Sequence, residues 1–385
     1  MKKLLLLAAL AASFGMAQAQ ELEYIREVAR ITDGLPAAGN ARQATVMNGK
    51  VYVQDKAEGK VMVFDQNGLT NEEYNSVAGS WPAISHDQAG NLIVRIDATW
   101  PAGFAADGVP CFRIFPADGS EPVDVAMPAS FFESGCSGRM DFMGDAAGDV
   151  MDDEDGGVLF LTTNSTASDG IYALRLYGGQ PDEDYSELIP VSLHAAASTF
   201  SYVQVYGDAM YYIVRNAQPA EIVEGDDELE VNTFTLPKKG ASVGTKPFNL
   251  GGYDLFIYST TPNYGDGFAI AAANAAEPLA EVPEEKANVA PASGYCTSFG
   301  VEPVQGTATK AMVYQYVAGN YIRVYELKIK NDDVTAVKTV NAQKTVTGVK
   351  YYNAAGVESA TPFTGVNIVV NTYNDGSKQA TKVLR

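Results

Sequence analysis

Six short runs of consecutive apolar residues punctuate the chain: "VYV" from Val51, "LIV" from Leu92, "VLFL" from Val158, "MYYIV" from Met210, "LFIY" from Leu255 and "MVYQYV" from Met312. Each is followed by a polar connection and a second run: "VMVFDQNG" from Val61, "CFRIFPADG" from Cys111, "IYALRLYGG" from Ile171, "VNTFTLPKKG" from Val231, "FAIAAA" from Phe268 and "IRVYELKI" from Ile322. Turn signals precede several of the first runs, as in "MNGK", "QAGN", "DEDGG", "YGDA" and "LGGY". Val, Ile, Tyr and Phe dominate, and no long segment carries the helical period, so the chain reads as all-β.

The first runs do not alternate. A strand apolar on both faces must be covered by packed layers on both sides. Successive units begin about 41 to 66 residues apart, room for four strands each, which fits a propeller blade; a β-helix coil would repeat at half that length. Six units predict a six-bladed β-propeller. The extended "LEYIREVARI" (Leu22–Ile31) precedes the first unit and is placed to supply the outer strand of the last blade, closing the ring and removing exposed sheet edges. The alternative is a row of β-sandwiches. Between Gln20 and about Lys330 only "NAAEPLAEVPEEKANVAPASG" (Asn274–Gly294) reads as a linker, and it is expected as a loop between units five and six. A degenerate further unit could lie in Phe112–Arg139.

From Thr345 the pattern changes to three strands, "TVTGVKYYNAAG", "GVNIVVNTY" and "KQATKVLR", the last two joined by the tight-turn sequence Asn374-Asp375-Gly376. At the other end, Lys2 and Lys3, an apolar run from Leu4 to Met16 and Ala17-Gln18-Ala19 form a secretory leader with its cleavage site. No later apolar run reaches membrane length. The expected division is 1–19 leader, 20–337 propeller and 338–385 C-terminal β module.

Charge sharpens that division. The formal net charge is -20, or -22 without Lys2 and Lys3. From Lys338 onward six Lys/Arg face two acids, net +4, which leaves -26 on residues 20–337. An acidic body excludes nucleic acid and anionic lipid as partners. The three cysteines, Cys111, Cys136 and Cys296, are too few for a disulfide scaffold. They could be buried thiols or include one bridge, with Cys111–Cys136 the nearer pair.

Enzyme signatures are absent: no G-x-S-x-G, H-E-x-x-H, P-loop or G-x-G-x-x-G occurs. Two histidines, His86 and His194, leave little material for a His-based triad or metal centre, and His86 in "ISHDQAGN" reads as a turn residue. In "GDAAGDVMDDEDGG", Asp149, Asp152, Asp153 and Asp155 could offer oxygen ligands to Ca²⁺, although Met151 breaks the loop pattern and a solvated acidic turn before Val158–Leu161 is the preferred reading. Both tryptophans, Trp81 and Trp100, precede proline in unit two, with Arg95 and Asp97 between them. An aromatic flanked by charges on one blade rim would suit a sugar or peptide; the alternative is two indoles plugging the core. No other cofactor is indicated.

The stretches "GNARQATVMNGKVYV" (Gly39–Val53) and "GDAAGDV" (Gly144–Val150) resemble exported propeller-like proteins of Bacteroidetes, most of them of undefined function. The last forty residues resemble the C-terminal sorting domains of type IX secretion cargo. The matching elements are "VKYYNAAG" (Val349–Gly356), "GVNIVV" (Gly365–Val370), where Asn367 stands for the family's usual Tyr, and the basic terminus "KVLR". The resemblance implies secretion to the outer-membrane surface of a Gram-negative bacterium, with the translocon as partner of the C-terminal module. Together these readings predict a non-catalytic binding or scaffold propeller for a glycan, peptide or protein. The alternatives are a carbohydrate-active propeller enzyme using carboxylates and a structural surface component.

Overall fold

The computed structural model describes residues 21–97, 108–126, 139–148, 157–162, 170–177, 179–190, 201–207, 209–214, 217–224, 229–240, 244–261, 265–287, 289, 297–330, 346–353, 358–359, 361, 363, 366–373 and 378–384. The chain divides into two compact units, Met1–Asn331 and Asp332–Arg385.

In the first unit, six four-stranded antiparallel sheets form the blades. Blade one holds β2 (Ala44–Met47), β3 (Lys50–Asp55), β4 (Lys60–Asp65) and β5 (Gly68–Asn75); blade two, β6 (Ile84–His86), β7 (Leu92–Arg95), β8 (Pro110–Phe115) and β9 (Val123–Ala126). Blade three holds β10 (Asp141–Gly144), β11 (Gly157–Thr162), β12 (Gly170–Tyr177) and β13 (Gln180–Pro190). Blade four holds β14 (Ser201–Tyr206), β15 (Ala209–Val214), β16 (Ala220–Glu224) and β17 (Leu229–Thr233). Blade five holds β18 (Thr245–Leu250), β19 (Tyr253–Ser259), β20 (Phe268–Ala271) and β21 (Ala280–Val282). Blade six holds β22 (Thr297–Pro303), β23 (Lys310–Val317) and β24 (Tyr321–Ile329), and its outer strand is β1 (Leu22–Ile31), as the sequence predicts. The first strand of each blade touches those of both flanking blades, and the cycle β2, β6, β10, β14, β18, β22 closes on β2.

Burial explains the unbroken apolar runs. Along a strand, side chains alternate between faces, and in a blade each face meets a different neighbour. Val51 and Val53 pack into the core shared with blade six, whereas Tyr52 between them joins the core shared with blade two. Leu92 and Val94 go to the blade one side and Ile93 to the blade three side. One such buried cluster lies at each of the six blade interfaces. The period of two is present but hidden, because both phases are apolar.

Several expectations are corrected. "VNTFTLPKKG" is not the partner of the Met210 run: β15 pairs with β16, "AEIVE", and Val231 lies on the outer β17. The stretch Asn274–Gly294 is not all loop, since it contains β21. His86 ends strand β6 instead of sitting in a turn. Within Phe112–Arg139, the described residues supply β8, β9, the turn between them and the approach to β10, and no further sheet.

The closing strand is held by charge as well as by its ladder. Arg30 of β1 bonds Glu285 (Nη1–Oε2 2.9 Å), and Glu285 reaches Arg323 Nη1 at 3.2 Å. Arg323 and Asp266 are both fully buried, with Nη2–Oδ2 at 3.4 Å. Asp266 Oδ1 also accepts the amides of Glu285 and Lys286, each at 2.9 Å, and Tyr321 donates its hydroxyl to Oδ2. These partners replace the water that burial removes from the carboxylate.

The second unit is a sheet in the order β26 (Glu358–Ser359), β25 (Val346–Asn353), β27 (Val366–Tyr373), β28 (Lys378–Leu384). It has four strands where three were expected; the two-residue β26 is too short to leave a sequence signal. No helix among the described residues is long and apolar enough to cross a membrane.

Candidate functional site

The six first strands surround an axial cavity of about 500 Å³. Residues at the strand starts, Gln43, Arg139, Thr245 and Ser298, line one end, and the turns that follow the strands, with Asn48, Gln88, Gly90 and Gly207, border the other.

Arg139 spans the starting end. Its Nη2 donates to the Thr297 carbonyl at 2.7 Å and to Ser298 Oγ at 3.2 Å, so a side chain from blade three ties to the opposite blade six. Its guanidinium carbon lies 5.3 Å from the centre of the Tyr202 ring, and Tyr202 in turn donates to the Thr245 carbonyl at 2.7 Å. Gln43 Nε2 donates to the Met140 carbonyl at 3.3 Å. Lysine could not replace this arginine, because a planar fork of donors serves two acceptors at once and also stacks on a ring.

Asp141 sits in the middle layer, fully shielded. Its Oδ1 accepts from Ser85 Oγ (2.7 Å), and its Oδ2 from the Val205 amide (2.8 Å) and Gln204 Nε2. Burial pushes its carboxyl above the ordinary range, opposed by Lys246 and by these donors. His86 Nδ1 shares a proton with Thr45 Oγ1 at 2.6 Å. Burial, aided by Lys246, lowers its pKa to about 3, so the ring is neutral at physiological pH.

At the turn end, Gln88 bridges three blades: its Nε2 donates to the Gly207 carbonyl (2.7 Å) and its Oε1 accepts the Gly144 amide (2.9 Å). Asp87 accepts from the Asn91 amide (2.9 Å), Asn91 Nδ2 (2.7 Å) and the Ala146 amide (2.8 Å), with burial raising its pKa against those bonds. Asn48 and Gly49 both take positive φ (54° and 77°), making the tight turn between β2 and β3. The half-buried Gly49 amide donates to Glu302 Oε2 at 2.8 Å. Burial raises the Glu302 pKa, and the amides of Gly49 and Asn48 oppose it.

The cavity's carboxylates are thus occupied in holding strands and turns. In the same wall, Gln43 Oε1 and Thr245 Oγ1 have no hydrogen-bond partner, in side chains only 7% and 3% exposed. Among the described residues, no cluster of three or more His, Cys, Asp or Glu could hold a metal.

The residues singled out from the sequence lie elsewhere. Trp81 is partly buried against the core between blades two and three, with the Arg42 guanidinium 4.8 Å from its ring. Its amide donates to the Asp97 carbonyl at 2.8 Å. Arg95 and Asp97 form a buried bidentate pair, Nε–Oδ1 2.5 Å and Nη2–Oδ2 3.2 Å, and Gln54 Nε2 caps the Arg95 carbonyl at 2.8 Å. The three come together, but none lines the axial cavity. Trp100, Asp149, Asp152, Asp153, Asp155, Cys136, His194 and Cys296 lie outside the described residues. Cys111 is buried, 3.4 Å from the Val125 carbonyl. Sequence reading missed Gln43, Arg139, Asp141, Thr245 and Lys246; their one signal is a polar residue within or just before a short strand ahead of a blade's apolar run.

No protein-family model matches the sequence, and no curated protein matches it. Solved structures do. A DUF4623 family protein from Bacteroides eggerthii matches with TM-score 0.53 and 11% identity, over 77% of this chain and 72% of that one. An α-L-arabinanase from Penicillium chrysogenum, solved with arabinobiose, matches with TM-score 0.51 and 8% identity, over 79% of this chain and 98% of that one. At these identities the likeness establishes the fold: an all-β six-bladed propeller shared with a Bacteroidetes protein.

Proposed function

We propose that the protein is an exported propeller whose axial cavity binds a small hydroxylated ligand, a free sugar or the end of a glycan, without turning it over. The observation that carries this reading is the pair of unpartnered buried atoms, Gln43 Oε1 and Thr245 Oγ1, in the cavity wall. Buried polar groups are nearly always satisfied, and two left open in one concave site call for a ligand with both donors and acceptors. Catalysis has less support. A glycosidase needs two carboxyls able to exchange protons with substrate, whereas both oxygens of Asp141 and of Asp87 are held by protein donors.

The test is a thermal-shift and calorimetric screen of the protein against neutral and acidic mono- and disaccharides. A saturable ligand whose binding is lost in Thr245→Val supports the reading. Reducing-end release that disappears in Asp141→Asn would replace it with an enzyme.

The same proposal takes residues 1–19 as a removed leader, 20–337 as the binding body and 338–385 as the address read by the type IX translocon, which places the protein outside the cell or on its surface. Its support is the charge step between body and tail and the "VKYYNAAG", "GVNIVV" and "KVLR" elements. Deleting 338–385 in the producing cell is expected to trap the body in the periplasm; unchanged export would overturn the assignment.

A further inference from the structure

Lys246 is the second residue of β18 and lines the cavity, partly buried. Among the described residues it has neither a hydrogen bond nor an ion pair, although its charge is felt by both His86 and Asp141. Asp141 does not quench it, because that carboxylate already accepts from Ser85, Gln204 and Val205. The cavity therefore holds an ammonium with donor capacity to spare, beside a hydroxyl at Thr245 able to donate and an amide oxygen at Gln43 able only to accept.

We infer that the cavity's ligand is a hydroxylated monocarboxylate, a sugar acid, whose carboxylate pairs with Lys246 and whose hydroxyls meet Gln43 Oε1 and Thr245 Oγ1. This rests on the proposed binding role of the cavity and narrows it. A carboxylate in a partly enclosed site makes short charge-assisted bonds with an ammonium, about twice as strong as neutral ones. A hydroxyl hydrogen is what the Gln43 oxygen lacks, and a carboxylate alone cannot supply it. A single negative charge also suits the surroundings: the body of the protein carries net -26, so a phosphate dianion or a polyanion would meet repulsion that one carboxylate largely escapes.

Titration calorimetry on the full chain, with D-glucuronate, D-galacturonate and their uncharged parents glucose and galactose, tests it. At least one acid is expected to bind about tenfold or more tightly than its parent. Lys246→Met, which keeps the aliphatic stem, is expected to remove that preference while leaving the melting temperature in place. Thr245→Val should weaken acid and parent together. Equal binding of acid and parent, both lost in Thr245→Val, would overturn the sugar-acid inference and leave the cavity reading standing. An acid preference that survives Lys246→Met would place the carboxylate elsewhere and overturn it too. No saturable binding of any of the four would overturn the inference for these ligands, while the wider saccharide screen would still decide the cavity reading.

Discussion

Arg139 Nη2 meets the Thr297 carbonyl oxygen at 2.7 Å, joining the approach to β10 in blade three to the first residue of β22 in blade six. The two residues come from opposite sides of a six-membered ring, so one side chain braces the axis and closes the cavity at the start of the first strands. Adjacent blades are held together by shared cores, but this contact joins blades that share none.

Arg139→Met should remove charged hydrogen bonds to Thr297 and Ser298 and the stacking on Tyr202. The expected loss is roughly 2–3 kcal/mol in urea unfolding, and Arg139→Lys should recover less than half, because an ammonium cannot form the fork.

Asp266→Ala should cost about 3–5 kcal/mol, since it leaves Arg323 charged and fully buried without its carboxylate. Arg30→Ala, at the exposed end of the same chain of ion pairs, should change unfolding stability by about 1 kcal/mol or less. Similar losses from the two variants would mean that the buried pair is not what holds blade six to blade five.

The neutral His86 predicts an acid-sensitive fold. Its folded pKa is about 3 against an ordinary 6.5, so between these values the unfolded chain binds a proton that the folded chain refuses. Stability therefore falls as pH drops through that window. The raised pKa of Asp141 works in the opposite direction and cancels when variant and parent are compared. His86→Gln should be more stable relative to the parent at about pH 4 than at about pH 7, by roughly 3 kcal/mol in urea unfolding. A pH-independent difference would refute the burial of a neutral ring.

Gly300 of β22 has no room for a side chain: a Cβ there would lie 2.3 Å from Val46 Cβ on β2. Gly300→Ala is expected to destabilise by about 1–3 kcal/mol, and the added Val46→Gly, which removes the clashing Cβ, should restore part of it. Failure of that rescue would show that the close approach of the two strands is not the constraint.

What the sequence disclosed follows from where water is excluded. Strands such as β7 and β19 are sandwiched between blades, so consecutive positions such as Leu92–Val94 and Leu255–Tyr258 are apolar and buried, and the run stands out. β1 was legible as the closing strand because an extended segment preceded the first unit with no partner of its own. The first strands were hidden for the opposite reason: each has the cavity on one side, and β2, "ATVM", and β6, "ISH", are too short and mixed to register. β16, "AEIVE", and β21, "AEV", look like loop because they are short and carry acids, Glu221 buried and Glu281 exposed. The cavity was illegible because Gln43, Arg139 and Thr245 are about a hundred positions apart in the chain, and only ring closure makes them neighbours. Trp81 and Arg95 attracted attention as rare residues in a charged setting, a signal that buried ion pairs produce as readily as binding rims do.

Because Tyr24 of β1 bonds Glu326 of β24 across 302 positions of sequence, the last blade borrows a strand from the beginning of the molecule. Such an annulus cannot finish assembling while the chain is still being threaded through a pore or synthesised from one end. Five sheets can form in order, but the circle snaps shut only when its earliest and latest pieces are present together. A chain built this way keeps its ring open until nearly all of its length is available.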